Sequence, residues 1–141
     1  MMLRVAFVGA GQMARHHVEA LPRAFGDAVV VGVHDRIDAR ANGLAALARC
    51  RSFGSVEALL DQTRPDVVHV CTPPEAHFAA AHTALRGGAH VYVEKPFART
   101  VSEARALLDL ASERRLLVCA GHQLLRDPGF ERLMAEAPRL G

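Results

Sequence analysis

Leu3-Arg4-Val5-Ala6-Phe7-Val8-Gly9-Ala10-Gly11-Gln12-Met13-Ala14 decides the fold. Leu3–Val8 is a short, largely apolar run ending at glycine, the pattern of a buried strand. Gln12–Phe25 then carries apolar residues at Met13, Val18, Leu21 and Phe25, which predicts a helix. Between them, Gly9, Gly11 and Ala14 form a G-x-G-x-x-A turn. Gly9 permits the tight bend, Gly11 lets backbone approach a pyrophosphate, and Ala14 is small enough for close helix–sheet packing. The N–H groups opening the helix, at Gln12 and Met13, would face that phosphate, aided by the positive end of the helix dipole. By itself this spacing also fits a turn of small residues. Its place after a first strand, with Asp35 ending the second strand 24 residues beyond Gly11, makes it a dinucleotide fingerprint.

Outward from that turn, strands and helices alternate. Val29–His34 reads as a second strand and Asp38–Ala48 as a helix with Asp38 at its N-cap. Arg51–Phe53 reads as an edge strand, and Ser55 caps a helix over Val56–Gln62. Asp66–Cys71, His90–Val93 and Leu116–Ala120 supply three more strands. Helices over Glu75–Arg86 and Val101–Arg114 separate them, and Gly87-Gly88 stops the first of these. Asp127-Pro128 opens a last helix to about Glu136. Apolar strands alternating with helices predict a parallel sheet covered on both faces, and right-handed crossovers make it doubly wound. The expected fold is α/β of the Rossmann type, with strand order 3-2-1-4-5-6.

Composition narrows the partners. The 141 residues suit one domain, which buries roughly 68–70% of its unfolded surface. No apolar run approaches the roughly 20 residues that span a bilayer. The formal charge is only +2 and the arginines are scattered, so neither nucleic acid nor a membrane is expected as partner. Cys50, Cys71 and Cys119 are odd in number and widely spaced, which predicts no disulfide framework, no metal site and a reducing, cytoplasmic setting. His16-His17, His77 and His82 lack ligand spacing as well. Lys95 is the single lysine in a sequence that otherwise writes arginine.

Asp35 can accept both hydroxyls of an adenosine ribose and would repel a 2′-phosphate. Arg36 pulls the other way, since a guanidinium can bind that phosphate or stack on adenine, or simply be a solvated charge. NAD is favoured, with NADP the alternative. Thr72-Pro73-Pro74 ends the fourth strand at the carboxyl rim, where the middle of a dinucleotide would pass. His77 follows in the first helical turn, a position that fits packing better than catalysis. Cys71 reads as a small apolar filler.

Glu94-Lys95-Pro96-Phe97 ends the fifth strand on the same rim. Together with Gly9–Ala14, Thr72-Pro73-Pro74…His77, Gly88-Ala89-His90-Val91 and Gly121-His122-Gln123, it resembles the glucose–fructose oxidoreductase/inositol dehydrogenase (Gfo/Idh/MocA) family along the whole chain. The resemblance implies a nicotinamide-dependent oxidoreductase acting on a sugar, cyclitol or related polyol. It implies Lys95 as the catalytic residue beside the nicotinamide, a cis Lys95–Pro96 peptide, and Gly9, Gly11, Gln12, Met13, Asp35, Arg36, Thr72, Pro73, Pro74, His77, Glu94, Lys95 and Gln123 around the cofactor. Residues 1–120 then form the dinucleotide-binding domain. Residues 121–141 hold a final helix and the start of a connection to a C-terminal substrate domain outside this chain; that domain, or a homo-oligomer, would complete the site. The run Gly121-His122-Gln123-Leu124-Leu125 departs from the family's Gly-aromatic-Asn-Arg-Arg, so no sugar acid or phosphate is inferred. A stand-alone, non-catalytic dinucleotide module or sensor, or a half that docks onto another chain, is the alternative. A methyltransferase would leave Glu94-Lys95-Pro96 without a role.

Overall fold

A computed structural model of the chain describes residues 2–122 and 127–140. Six strands, β1 (Leu3–Val8), β2 (Ala28–His34), β3 (Arg51–Phe53), β4 (Val67–Val70), β5 (His90–Val93) and β6 (Val118–Ala120), form one sheet in the order β3-β2-β1-β4-β5-β6. Every pairing is parallel. The expected topology and strand order are both present.

Helices α1 (Gln12–Ala24) and α2 (Asp38–Ala48) pack on one face, where Val18, Leu21, Leu44 and Ala45 meet Val5, Phe7 and Val33. Helices α3 (Val56–Thr63), α4 (Pro74–Arg86) and α5 (Val101–Arg114) cover the other. There Leu59, Leu85 and Leu107 meet Val8, Val68, Val70, Val91 and Val93. In β1, Val5 and Phe7 thus enter one core and Ala6 and Val8 the other, as the two-residue period of a strand requires. Helix α6 (Pro128–Leu140) follows, and Asp127 Oδ1 accepts the Phe130 N–H at 3.0 Å, the expected cap.

Local chemistry shifts some boundaries. The N-cap of α2 is Ile37, not Asp38: Asp35 takes the Ile37 N–H, and Asp38 falls in the first turn, where its charge still favours the helix dipole. Ser55 caps α3 as expected, accepting the Ala58 N–H at 3.1 Å. Thr100 caps α5 through the Glu103 N–H, which leaves Ser102 inside the first turn. Helix α6 passes Glu136 and continues through Pro138 to Leu140.

Candidate cofactor site

The strands end in register. Past β1, β4, β5 and β6 the parallel ladder runs one residue further: Cys71 N–H to Val8 O (2.8 Å), Glu94 N–H to Val70 O (3.0 Å) and Gly121 N–H to Val93 O (2.7 Å). Gly9 joins the same row through a 2.8 Å bond to His34 O. Gly9, Cys71, Glu94 and Gly121 therefore stand in line across the carboxyl rim, the edge where open α/β sheets bind ligands.

Gly9 is there of necessity. Its φ is +93°, and a Cβ would lie 2.5 Å from the Cys71 carbonyl carbon, inside the turn's closest approach to β4. Gly11 differs: a Cβ there meets nothing within 4 Å. Its backbone faces open space in front of α1, and no side chain caps that helix. An uncapped N-terminus behind an open glycine is a cradle that a pyrophosphate fits.

Asp35 is engaged with its own loop. Oδ2 accepts the Ala10 N–H at 2.7 Å and Oδ1 accepts the Ile37 N–H at 2.8 Å. Each oxygen keeps a second acceptor site, enough for two ribose hydroxyls. Asp35, exposed Arg36, Gly9, Thr72 and Pro73 line a cavity of about 600 Å³ at this rim, and Arg40 borders both it and a second cavity of about 510 Å³ beside Gly11, Gln12 and Arg15. A cavity of about 580 Å³ at the opposite end of the sheet, beside Asp66 and His90, has none of these features. Thr72 Oγ1 is buried without a hydrogen-bond partner, a polar atom at the rim that the fold itself leaves unmatched. The residues present fit a dinucleotide.

Lys95 is exposed at the end of β5 and Pro96 follows through a cis peptide, as the sequence resemblance implies. Its ammonium makes no hydrogen bond or ion pair among the described residues. Pro74, exposed, is the first residue of α4, and Met13 lies in the first turn of α1. His77 is 1% exposed, with Nδ1 2.7 Å from Pro96 O and Nε2 2.8 Å from Thr72 O. It sits behind the rim and bridges the Thr72 and Lys95-Pro96 loops. Gln123 lies outside the described residues.

Glu94 is 5% exposed and its carboxylate goes to His17 Nε2 at 3.0 Å rather than to the Lys95 ammonium. His17, which the sequence leaves without a partner, thus has two, the other being His69 Nδ1 at 3.1 Å from its own Nδ1. Burial and the Glu94 charge push the Cys71 thiol up to about 12, so Cys71 stays a protonated filler.

The model of the Gfo/Idh/MocA oxidoreductases, described as an oxidoreductase family with an NAD-binding Rossmann fold, matches residues 3–122. A UDP-N-acetylglucosamine 3-dehydrogenase of Acidithiobacillus ferrooxidans is 37% identical over 97% of this chain and 47% of its own length. Its crystal structure superposes with a TM-score of 0.85 over 96% of this chain and 43% of that one, at 36% identity. A D-glucoside 3-dehydrogenase of Escherichia coli is 38% identical over 77% of this chain and 31% of its own length. The GenD2 protein of gentamicin A biosynthesis, solved with NAD, is 30% identical with a TM-score of 0.90, over 96% of this chain and 39% of that one. The chain thus spans less than half the length of these relatives.

Proposed function

Because this chain belongs to the Gfo/Idh/MocA oxidoreductase family, we propose that it is the cofactor-binding half of an enzyme that moves hydride between a nicotinamide and a carbinol carbon of a sugar, cyclitol or related polyol. The observation that carries this reading is the placement of Lys95 on the same rim as the Gly9–Ala14 turn and Asp35, with its ammonium unpaired among the described residues. NAD is the favoured cofactor and NADP the alternative. Similar proteins solved with NAD, and named as dehydrogenases of glucosides and of a sugar nucleotide, support the class.

The first turn of α1, through the backbone at Gly11, Gln12 and Met13, would hold the pyrophosphate, and Asp35 the adenosine ribose. Arg36 would stack on adenine, and Thr72-Pro73-Pro74 would border the middle of the dinucleotide. The bound nicotinamide supplies the hydride acceptor or donor. Lys95 would take the proton of the substrate hydroxyl as hydride leaves and return it in the reverse direction. An amine can do this because its pKa responds to burial and charge, whereas a guanidinium stays protonated throughout. A second domain or a neighbouring subunit would supply the substrate contacts. A reducing, cytoplasmic setting suits the three free cysteines.

The test is Lys95→Arg in a chain carrying a substrate-binding second half. Turnover should fall by about 10²-fold or more, the usual worth of a general acid–base, while cofactor affinity changes little. Unchanged turnover would contradict the role.

A further inference from the structure

Three polar side chains with no role in the proposed function cluster with the Glu94 carboxylate behind the rim. His17 of α1, His69 of β4, and Tyr92 and Glu94 of β5 or its end meet on one face of the sheet. His69 and Tyr92 stack with ring centroids 4.9 Å apart at 25°, and His17 stands edge-on to both, at 87° and 72°. With both rings neutral, their donors and acceptors admit one consistent assignment. The Glu94 carboxylate only accepts, so His17 Nε2, 3.0 Å from Oε1, carries the proton. Neutral His17 then has a lone pair on Nδ1, and His69 Nδ1, 3.1 Å away, donates to it. Burial favours the uncharged rings. It lowers the His17 pKa against the opposing pull of Glu94, and with the nearby His17 it lowers that of His69 to about 4. The chain of donors runs His69 to His17 to Glu94, and Glu94 Oε2 in turn accepts the Lys95 N–H at 3.3 Å.

We propose that His17 is a positioning residue for Lys95: it clamps the buried Glu94 carboxylate, which holds the Lys95 backbone and so directs the ammonium along the cofactor rim. His69 and Tyr92 hold His17 in the ring orientation and tautomer that do this. The inference rests on the reading of Lys95 as the residue beside the nicotinamide. Without His17, a carboxylate that is 5% exposed loses its closer side-chain donor, at 3.0 Å, and keeps only the Tyr92 hydroxyl at 3.5 Å, too long to fix its orientation alone. The loop from Lys95 onward would then start from a backbone that is no longer held.

The single lysine makes the test direct, because 13Cε-lysine labelling of the chain gives one side-chain signal. Saturating NAD⁺ should shift that signal in the wild type. In His17→Leu, NAD⁺ affinity should stay within about threefold, since the Gly9–Ala14 turn and Asp35 are untouched, but the NAD⁺-induced shift should collapse. His17→Gln retains a donor at the Nε2 position and should restore it. A wild-type lysine silent to NAD⁺ would overturn the reading of Lys95 and this inference with it. A wild-type response that persists in His17→Leu would overturn the positioning role alone. Should circular dichroism show His17→Leu unfolded, long-range 15N spectra of the wild-type imidazoles decide: His17 protonated at Nε2 and His69 at Nδ1 support the proposal, and the opposite tautomer of His17 overturns it.

Discussion

Asp35 does two jobs with one carboxylate. Its oxygens hold the Ala10 and Ile37 N–H groups, so the residue that would receive the ribose also ties the Gly-rich turn to the start of α2. Asp35→Asn keeps the shape but presents an NH₂ to one of those N–H donors. A donor facing a donor should cost about 1–3 kcal/mol of stability and weaken NAD(H) binding, measured by urea unfolding and calorimetric titration of the same variant. Unchanged stability would mean that the two backbone bonds contribute nothing. Asp35 is legible as a candidate ribose acceptor because its spacing from Gly11 carries a mechanism. Its grip on the loop is not, since it depends on where Ala10 and Ile37 point their N–H groups. That grip also explains why Asp38 loses the N-cap it would otherwise take.

At the scale of elements, His77 couples two loops whose bonded carbonyls, Thr72 and Pro96, lie 24 residues apart in the chain. Anchored in the first turn of α4, its ring reaches Thr72 O on one side and Pro96 O on the other. His77→Ala should cost about 2–5 kcal/mol, as a buried ring is lost and a cavity left. Amide exchange in the segments around residues 72–76 and 96–98 should rise together. Faster exchange in only one of them would show that the ring does not bridge. The elements themselves could be read from residue order, because apolar runs of strand length and helical spacing alternate cleanly and Gly9, Ser55, Gly87 and Asp127 punctuate them. The His17–His69–Tyr92–Glu94 cluster could not. Its members lie on three elements, and His17 and His69 are 52 residues apart. A signal was nonetheless present: His69 and Tyr92 occupy matching positions of paired strands, where valines fill the alternate positions. Two polar aromatics in register on one sheet face indicate a shared environment even when neither has a recognisable motif.

For the molecule as a whole, two half-buried histidines, His69 and His17, make stability depend on acid. His69 has its pKa lowered from 6.5 to about 4, chiefly by burial and secondly by His17, and that of His17 is lowered as well. A ring whose folded pKa lies below its unfolded value takes up a proton on unfolding. Stability is therefore full above pH 6.5 and declines as pH falls toward 4. The His69 shift corresponds to roughly 3 kcal/mol over that window. Urea midpoints should drop between about pH 7.5 and pH 4.5, and drop less in His69→Phe, which keeps the stack on Tyr92 but cannot titrate. An equal drop in both proteins would assign the acid sensitivity elsewhere.

The rim, the fingerprint and Asp35 all lie within these 141 residues, so the chain should bind its cofactor unaided. The chain contains no tryptophan, so NADH emission is read without a tryptophan contribution. The most direct measurement is therefore an NADH fluorescence titration of the purified chain. The account predicts a saturable enhancement with a dissociation constant below about 1 mM, worth roughly 4 kcal/mol or more of binding, and its weakening in Asp35→Asn. A chain that stays folded yet shows no saturable change with either NADH or NADPH at millimolar concentration would contradict it.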